Sequence, residues 1–229
     1  MRVVVTGANR GLGLGLVRAY AERGDDVWAG TRKPAEAKEL QALAAGSGGR
    51  VHVQTLDVTK DADVQAFAAA IGDAPVDVLV NNAGIAGRWN STLASFDVEE
   101  ALRCFDTNAL GAIRVTRALL ANLRAARGKV INMTSLMGSI GDNGSGRAYA
   151  YRMSKAALNM ATRNIAHEVK GFRGIAVALH PGWVKTEMGG ESAPEEIAAA
   201  VARLVASIDR FGAEHSGKQW HAKGNELPW

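Results

Sequence analysis

The stretch Thr6-Gly7-Ala8-Asn9-Arg10-Gly11-Leu12-Gly13 follows directly on Arg2-Val3-Val4-Val5, and the reading of that junction decides the fold. A β-branched run is a strand signal, and the apolar residues recurring at three- and four-residue spacing after Gly11 are a helix signal. Glycines suit the turn between them: one permits a tight turn, one lets a pyrophosphate approach the backbone, and one lets helix pack closely on strand. The unpaired N–H groups and the dipole of a helix N-terminus attract the same phosphates. An ordinary glycine turn has the same composition in a chain with 26 glycines, so the placement after the first strand is what favours a nucleotide. The spacing is G-x-x-x-G-x-G, which sets this loop apart from the commoner G-x-G-x-x-G fingerprint.

Outward from that junction, short β-branched runs at 2–6, 26–30, 51–55, 76–81, 129–134, 175–180 and 218–221 alternate with helix-patterned stretches at 11–23, 34–45, 60–71, 98–124, 149–170 and 194–208. This alternation predicts an α/β fold: a Rossmann-like, doubly wound parallel sheet of about seven strands with helices on both faces. With 229 residues, 47% of them hydrophobic, the chain reads as a single domain over 1–229. The net charge of +4 is dispersed, with no basic run longer than Arg32-Lys33, so a nucleic-acid partner is not expected. The single cysteine, Cys104, excludes an internal disulfide and a multi-cysteine metal site, and Leu102 and Phe105 beside it suggest core burial. No metal is expected. The absence of 18 consecutive apolar residues leaves no membrane partner to expect, and cytoplasmic is the default location.

The end of the second strand should choose between NAD(H) and NADP(H), because an acidic side chain there would repel a 2′-phosphate. Thr31-Arg32 stands in that place, so NADP(H) is favoured and NAD(H) is the lesser choice. A charge-assisted arginine contact contributes on the order of 1.5–3 kcal/mol. Arg10 is either a second cationic contact or a solvated loop arginine. Asp57 is either an acceptor for an adenine amino group or a turn residue ahead of Val58-Thr59.

Tyr151 and Lys155 lie four residues apart and so share one helix face. Hydride transfer to a carbonyl builds negative charge on oxygen, which calls for a proton donor of usable pKa. Bringing a phenol from ~10 toward neutrality takes roughly 4 kcal/mol, which a nearby ammonium and a positive nicotinamide could supply together. Ser135 ends the fifth strand, where parallel sheets bind ligands; it either contacts the reacting oxygen or caps a turn. Asn108 is a poor helix former inside a helical stretch, which suggests that it is there for a hydrogen bond.

These motifs, together with Asn81-Asn82-Ala83-Gly84 and Pro181-Gly182 followed by Thr186, resemble the short-chain dehydrogenase/reductase family in order and over essentially the whole chain. The resemblance implies a catalytic tetrad of Asn108, Ser135, Tyr151 and Lys155: tyrosine as acid/base, serine orienting the substrate oxygen, lysine bonding the nicotinamide ribose and shifting the tyrosine, asparagine holding a relay water. It implies cofactor contacts at Gly7, Asn9, Arg10, Gly11, Leu12, Gly13, Thr31, Arg32, Asp57, Val58, Asn82, Ala83, Gly84, Tyr151, Lys155, Pro181, Gly182, Val184 and Thr186. His180 reads as structural.

Gly30-Thr31-Arg32-Lys33-Pro34, Ala148-Tyr149-Ala150-Tyr151, residues 179–190 and Leu227-Pro228-Trp229 resemble the C-factor and sniffer-type carbonyl reductase branch, which implies NADPH-linked carbonyl reduction. The C-factor side of that likeness also allows a nucleotide-binding signalling protein with incidental turnover. Two departures stand out. Residues 141–146 lengthen the interval between Ser135 and Tyr151, and the stretch after Thr186 is too short for a long substrate lid. Trp89, Leu136, Met137, Trp183 and Met188 are candidate pocket walls for a small apolar carbonyl or alcohol, core packing being the alternative for each. The resemblance further implies a homodimer or homotetramer through helices 98–124 and 149–170.

Overall fold

The computed structural model describes all residues, Met1–Trp229. Val3, Val4 and Val5 are completely buried, as a strand covered on both faces requires. That strand, β1 (Arg2–Thr6), leads into α1 (Gly11–Glu22), and the alternation continues through β2 (Asp26–Thr31), α2 (Lys38–Gly46), β3 (Val51–Thr55), α3 (Asp61–Ile71) and β4 (Val78–Asn81). Then come α4 (Val98–Phe105), α5 (Gly111–Ala118), α6 (Leu120–Ala126), β5 (Lys129–Met133), α7 (Tyr149–Val169), β6 (Ile175–His180), α8 (Ile197–Arg210), β7 (Gln219–His221) and β8 (Glu226–Leu227).

The strands form one Rossmann-like sheet in the order β3-β2-β1-β4-β5-β6-β7-β8. Every pairing is parallel except the final β7–β8 hairpin. Alternate side chains of each strand feed opposite cores. Val3 and Val5 pack with Leu16 and Tyr20 of α1 and Leu204 and Ile208 of α8. Val4, on the other face, packs with Phe67 of α3, Val115 of α5 and Val169 of α7. The chain winds outward from β1 in one direction through β2 and β3 and in the other through β4, β5 and β6, so the crevice between β1 and β4 is the switch point where such sheets bind ligands. No helix is long and apolar enough to cross a membrane.

Several expectations need correction. The sheet gains an eighth strand of two residues, too short to carry a periodic signal. The fourth strand starts at Val78 instead of residue 76, because Asn122 O takes the Val76 N–H and the Asp77 carboxylate takes the Arg2 N–H at 2.6 Å. The stretch 34–45 divides into a 3₁₀ turn, Pro34–Glu36, and α2. The expected helix 98–124 is three helices interrupted by a π turn at Asp106–Leu110 and a break at Leu119. Cys104 is buried as expected, but Leu102 and Phe105 beside it are exposed, so its burial comes from the facing helix and not from an apolar run.

Candidate active site

The first turn of α1 has no capping side chain and no acidic residue, which leaves the N–H groups that open the helix facing the β1–α1 loop. Steric contacts explain its glycines. A Cβ on Gly13 would lie 2.2 Å from the Gly7 carbonyl oxygen, and one on Gly7, whose φ is +65, would lie 2.8 Å from Ala83 Cα. Asn82 ties the end of β4 to this loop, its Nδ2 donating to Thr6 O at 3.0 Å and to Gly7 O at 3.1 Å. The Thr6 hydroxyl accepts from the N–H groups of Asn82 and Ala83. This cradle of main-chain donors fits a dinucleotide pyrophosphate.

The other nucleotide-side residues divide. Thr31 is buried and Arg32 is exposed at the end of β2, with Asn9 exposed on the glycine loop. One Asp57 carboxylate oxygen accepts from both the N–H (3.0 Å) and the hydroxyl (2.7 Å) of Thr59, so Asp57 does serve the turn, and its second oxygen makes no such bond. Burial works against its charge, but the Thr59 bonds, with Lys60 and Arg32 nearby, outweigh it and hold the carboxyl below its usual range. The Val58 side chain faces the core and would collide with a Cβ on Gly111 at 2.6 Å, leaving only its main chain for a ligand. Arg10 is not a free loop arginine: its guanidinium pairs with Glu187, across from the glycine loop.

Ser135, Tyr151 and Lys155 come from the end of β5 and the first turns of α7, and all three are buried. Lys155 Nζ lies 5.7 Å from the Tyr151 ring centroid and donates to Met133 O at 2.8 Å. The Ser135 hydroxyl accepts from Met137 N at 3.1 Å, capping the 3₁₀ turn Leu136–Gly138, so its cap role is present too. Asn108 sits in the π turn, a distortion common at functional sites. Its Oδ1 accepts from Ile85 N at 2.8 Å, while Nδ2 donates to Ile85 O at 2.9 Å and Ser154 Oγ at 2.8 Å. Through Asn108 the π turn joins the chain after β4 to α7.

Ser135 and Tyr151 line a cavity of about 500 Å³ whose walls include all five expected residues, Trp89, Leu136, Met137, Trp183 and Met188. Trp89 stands edge-on to Tyr151 at 5.1 Å between centroids. Leu12, Pro181, Gly182, Val184 and Thr186 close the side toward the glycine loop, where Thr186 Cγ2 would lie 3.4 Å from a Cβ on Gly11.

A family model described as short chain dehydrogenase matches residues 1–197. The chain belongs to the short-chain dehydrogenase family. It is similar to C-signal of Myxococcus xanthus, at 46% identity over 167 residues, or 72% of this chain and 100% of that protein. Among solved structures, the carbonyl reductase Sniffer of D. melanogaster superposes with a TM-score of 0.94 at 34% identity, covering 100% of this chain and 99% of that one. The NADPH-bound carbonyl reductase from chicken fatty liver gives 0.93 at 33% identity, covering 100% and 98%.

In the protein alone, burial dominates the electrostatics of this candidate site. Burial raises the Tyr151 phenol to about 12; the Ser135 hydroxyl opposes that rise and the Cys104 thiol adds to it. Burial likewise lowers Lys155 to about 8, with Cys104 opposing. Lys155 directs a hydrogen bond to Met133 O, and the dry interior penalises the charged forms of both side chains. His180, read as structural, lines the same cavity, and its Nδ1 is buried with no partner. Burial first, then His221 and Lys223, pull it down to about 4, so it stands neutral at the cavity wall. Sequence reasoning also missed Gly138, where a Cβ would lie 2.7 Å from Lys155 Cβ. Only a residue without a side chain lets the serine turn approach the lysine so closely, and a glycine in a loop carries no such label.

Proposed function

We propose that the protein is an NADP(H)-dependent carbonyl reductase, or an alcohol dehydrogenase running the same step in reverse, for a small apolar carbonyl or alcohol. The observation that carries this reading is the Ser135 and Tyr151 pair on the wall of an aromatic- and methionine-lined cavity that opens beside the glycine loop. NADPH, when bound, supplies the hydride. Gly7, Gly11, Leu12 and Gly13 present main-chain N–H groups to the pyrophosphate, and Asn9 flanks them. Arg32, with Thr31, receives the 2′-phosphate, and Arg10 supplements it by releasing Glu187. Asp57 and the Val58 main chain meet the adenine; Asn82, Ala83 and Gly84 line the cofactor's inner side. Pro181, Gly182, Val184 and Thr186 border the nicotinamide.

Ser135 donates a hydrogen bond to the carbonyl oxygen and fixes its orientation. As hydride reaches the carbonyl carbon, Tyr151 gives its phenolic proton to that oxygen, so the C=O becomes an alcohol. Lys155 holds the nicotinamide ribose and, as an ammonium, steadies the phenolate left on Tyr151. Asn108 orders the proton-relay side. Mixing the protein with NADPH and a panel of apolar aldehydes and ketones is expected to give loss of absorbance at 340 nm that vanishes in Tyr151→Phe. Absence of turnover across the panel, or turnover that survives that substitution, overturns the reading.

The likeness to C-signal favours one alternative, a nucleotide-binding signalling protein in which turnover is incidental. It would be preferred if Ser135→Ala and Tyr151→Phe kept full biological activity while Gly13→Trp lost it. For assembly, α4 packs on α7 and leaves Leu102, Phe105, Met153 and Met160 exposed. We infer that this face makes a homodimer or homotetramer, and Leu102→Glu is expected to shift the mass measured by light scattering to that of one chain.

A further inference from the structure

Gln219 on β7 is completely buried, and Asn159 and Thr134 beside it are 4% and 3% exposed. Its Nε2 donates to the main-chain oxygen of Ser135 at 3.0 Å, and its Oε1 accepts from Asn159 Nδ2 at 3.0 Å. Asn159, one turn beyond Lys155 on α7, also donates to Gly138 O at 3.2 Å and accepts from the Thr134 hydroxyl at 2.6 Å. Gly138 N donates to Ser135 O at 2.9 Å, so that oxygen receives two donors. Two strands and one helix thus meet in one polar cluster: the end of β5, β7 and α7.

The two carbonyls that this cluster holds are those at the ends of the serine turn, and its anchor on α7 is rigidly joined to Tyr151 and Lys155 through continuous helix. In a dry interior an amide left unpaired is costly, so the cluster has one well-satisfied arrangement and resists partial loosening. Nothing in the cluster titrates; Thr134 and Ser135 reach the cavity wall, whereas Gln219 and Asn159 do not touch the space where substrate would sit.

Resting on the reductase reading above, we propose that Gln219 is a positioning residue that, with Asn159, sets the distance between the Ser135 hydroxyl and the Tyr151 phenol. Replacing its amide with an apolar side chain of similar size removes the β7 hold on Ser135 O and loosens the serine turn against α7. The glycine loop, across the crevice at the end of β1, has its own ties to Asn82 and keeps them. A displacement of about 1 Å at a reacting group costs on the order of a hundredfold in rate.

The test compares wild type with Gln219→Leu and Gln219→Glu by steady-state kinetics, by NADPH titration of intrinsic fluorescence and by crystal structures of the three proteins. Gln219→Leu is expected to lower kcat roughly ten- to a hundredfold with NADPH Kd within about threefold of wild type, and to move the Ser135–Gly138 turn away from α7. A protonated glutamic acid restores both bonds, whereas a glutamate loses the donor to Ser135 O. Gln219→Glu is therefore expected to approach wild-type kcat at acid pH and to lose it as pH rises, a limb absent from wild type. The proposal is overturned if the turn stays in place in Gln219→Leu, if kcat is within twofold of wild type, or if kcat and NADPH binding fall together. If Gln219→Leu does not fold, the pH limb of Gln219→Glu decides. If wild type reduces no carbonyl, the reductase reading fails by itself, and movement or constancy of the serine turn still settles the positioning claim.

Discussion

The glycine loop and the serine–tyrosine–lysine cluster face each other across the same crevice but are built by opposite means. The loop is main chain: free N–H groups at the start of α1 and glycines whose missing side chains let Gly7 meet Ala83 and Gly13 meet the Gly7 carbonyl. The cluster is side chain: a buried phenol, ammonium and hydroxyl carried by two elements and held by further buried amides. The loop is ready for its ligand without any change of ionisation. The cluster is not, because burial keeps Tyr151 protonated and makes the Lys155 charge easy to lose. The contrast teaches that the loop is a matter of shape, whereas the cluster is a matter of electrostatics, in which burial works against the charged form of each partner.

Breaking the cluster alone gives the largest effect. Tyr151→Phe is expected to lower kcat by about 10²–10⁴-fold, with NADPH affinity measured by fluorescence titration unchanged. A parallel loss of affinity would mean that the two regions are not separable. Breaking the loop alone is expected to do the converse. Gly13→Val places a side chain where the Gly7 carbonyl oxygen and Asn82 Nδ2 stand, so NADPH binding should disappear and thermal unfolding should report a loss on the order of 1–3 kcal/mol.

Arg32→Ala sharpens the contrast at the nucleotide end. Its removal is expected to weaken NADPH about ten- to a hundredfold while NADH is unaffected, because only the 2′-phosphate is lost as a partner. Equal weakening of both would move the discrimination elsewhere.

The smallest signal is spectroscopic. In ligand-free protein, the absorbance difference between wild type and Tyr151→Phe should show no phenolate from Tyr151 below pH 11, since burial holds it at about 12. Because folding raises this pKa above its ordinary 10, the phenol's contribution to stability is complete below pH 10 and fades as pH climbs through about 12. A transition below pH 9 without cofactor would show the cluster to be preset by the protein alone.

Legibility followed the range of the interaction. The strand limits 2–6, 51–55 and 175–180 agree with the structure to the residue, because each is a β-branched or apolar run bounded by turn chemistry. The stretch 98–124 does not, since Asn108 is drawn out of regular helix by Ile85 and Ser154, neither of which is near it in the chain. The same holds at Arg10, whose partner Glu187 comes from the far side of the crevice.

By itself the amino-acid order determined the α/β winding, the phosphate loop and the pairing of Tyr151 with Lys155 on one helix face, because periodicity and glycine sterics act over a few residues. Only the tertiary structure decided that Trp89 stands against Tyr151, that Gly138 and Gln219 sit against the serine turn, and that burial raises the phenol in the protein alone. Those outcomes depend on burial and on partners brought together from distant parts of the chain, and neither leaves a local trace.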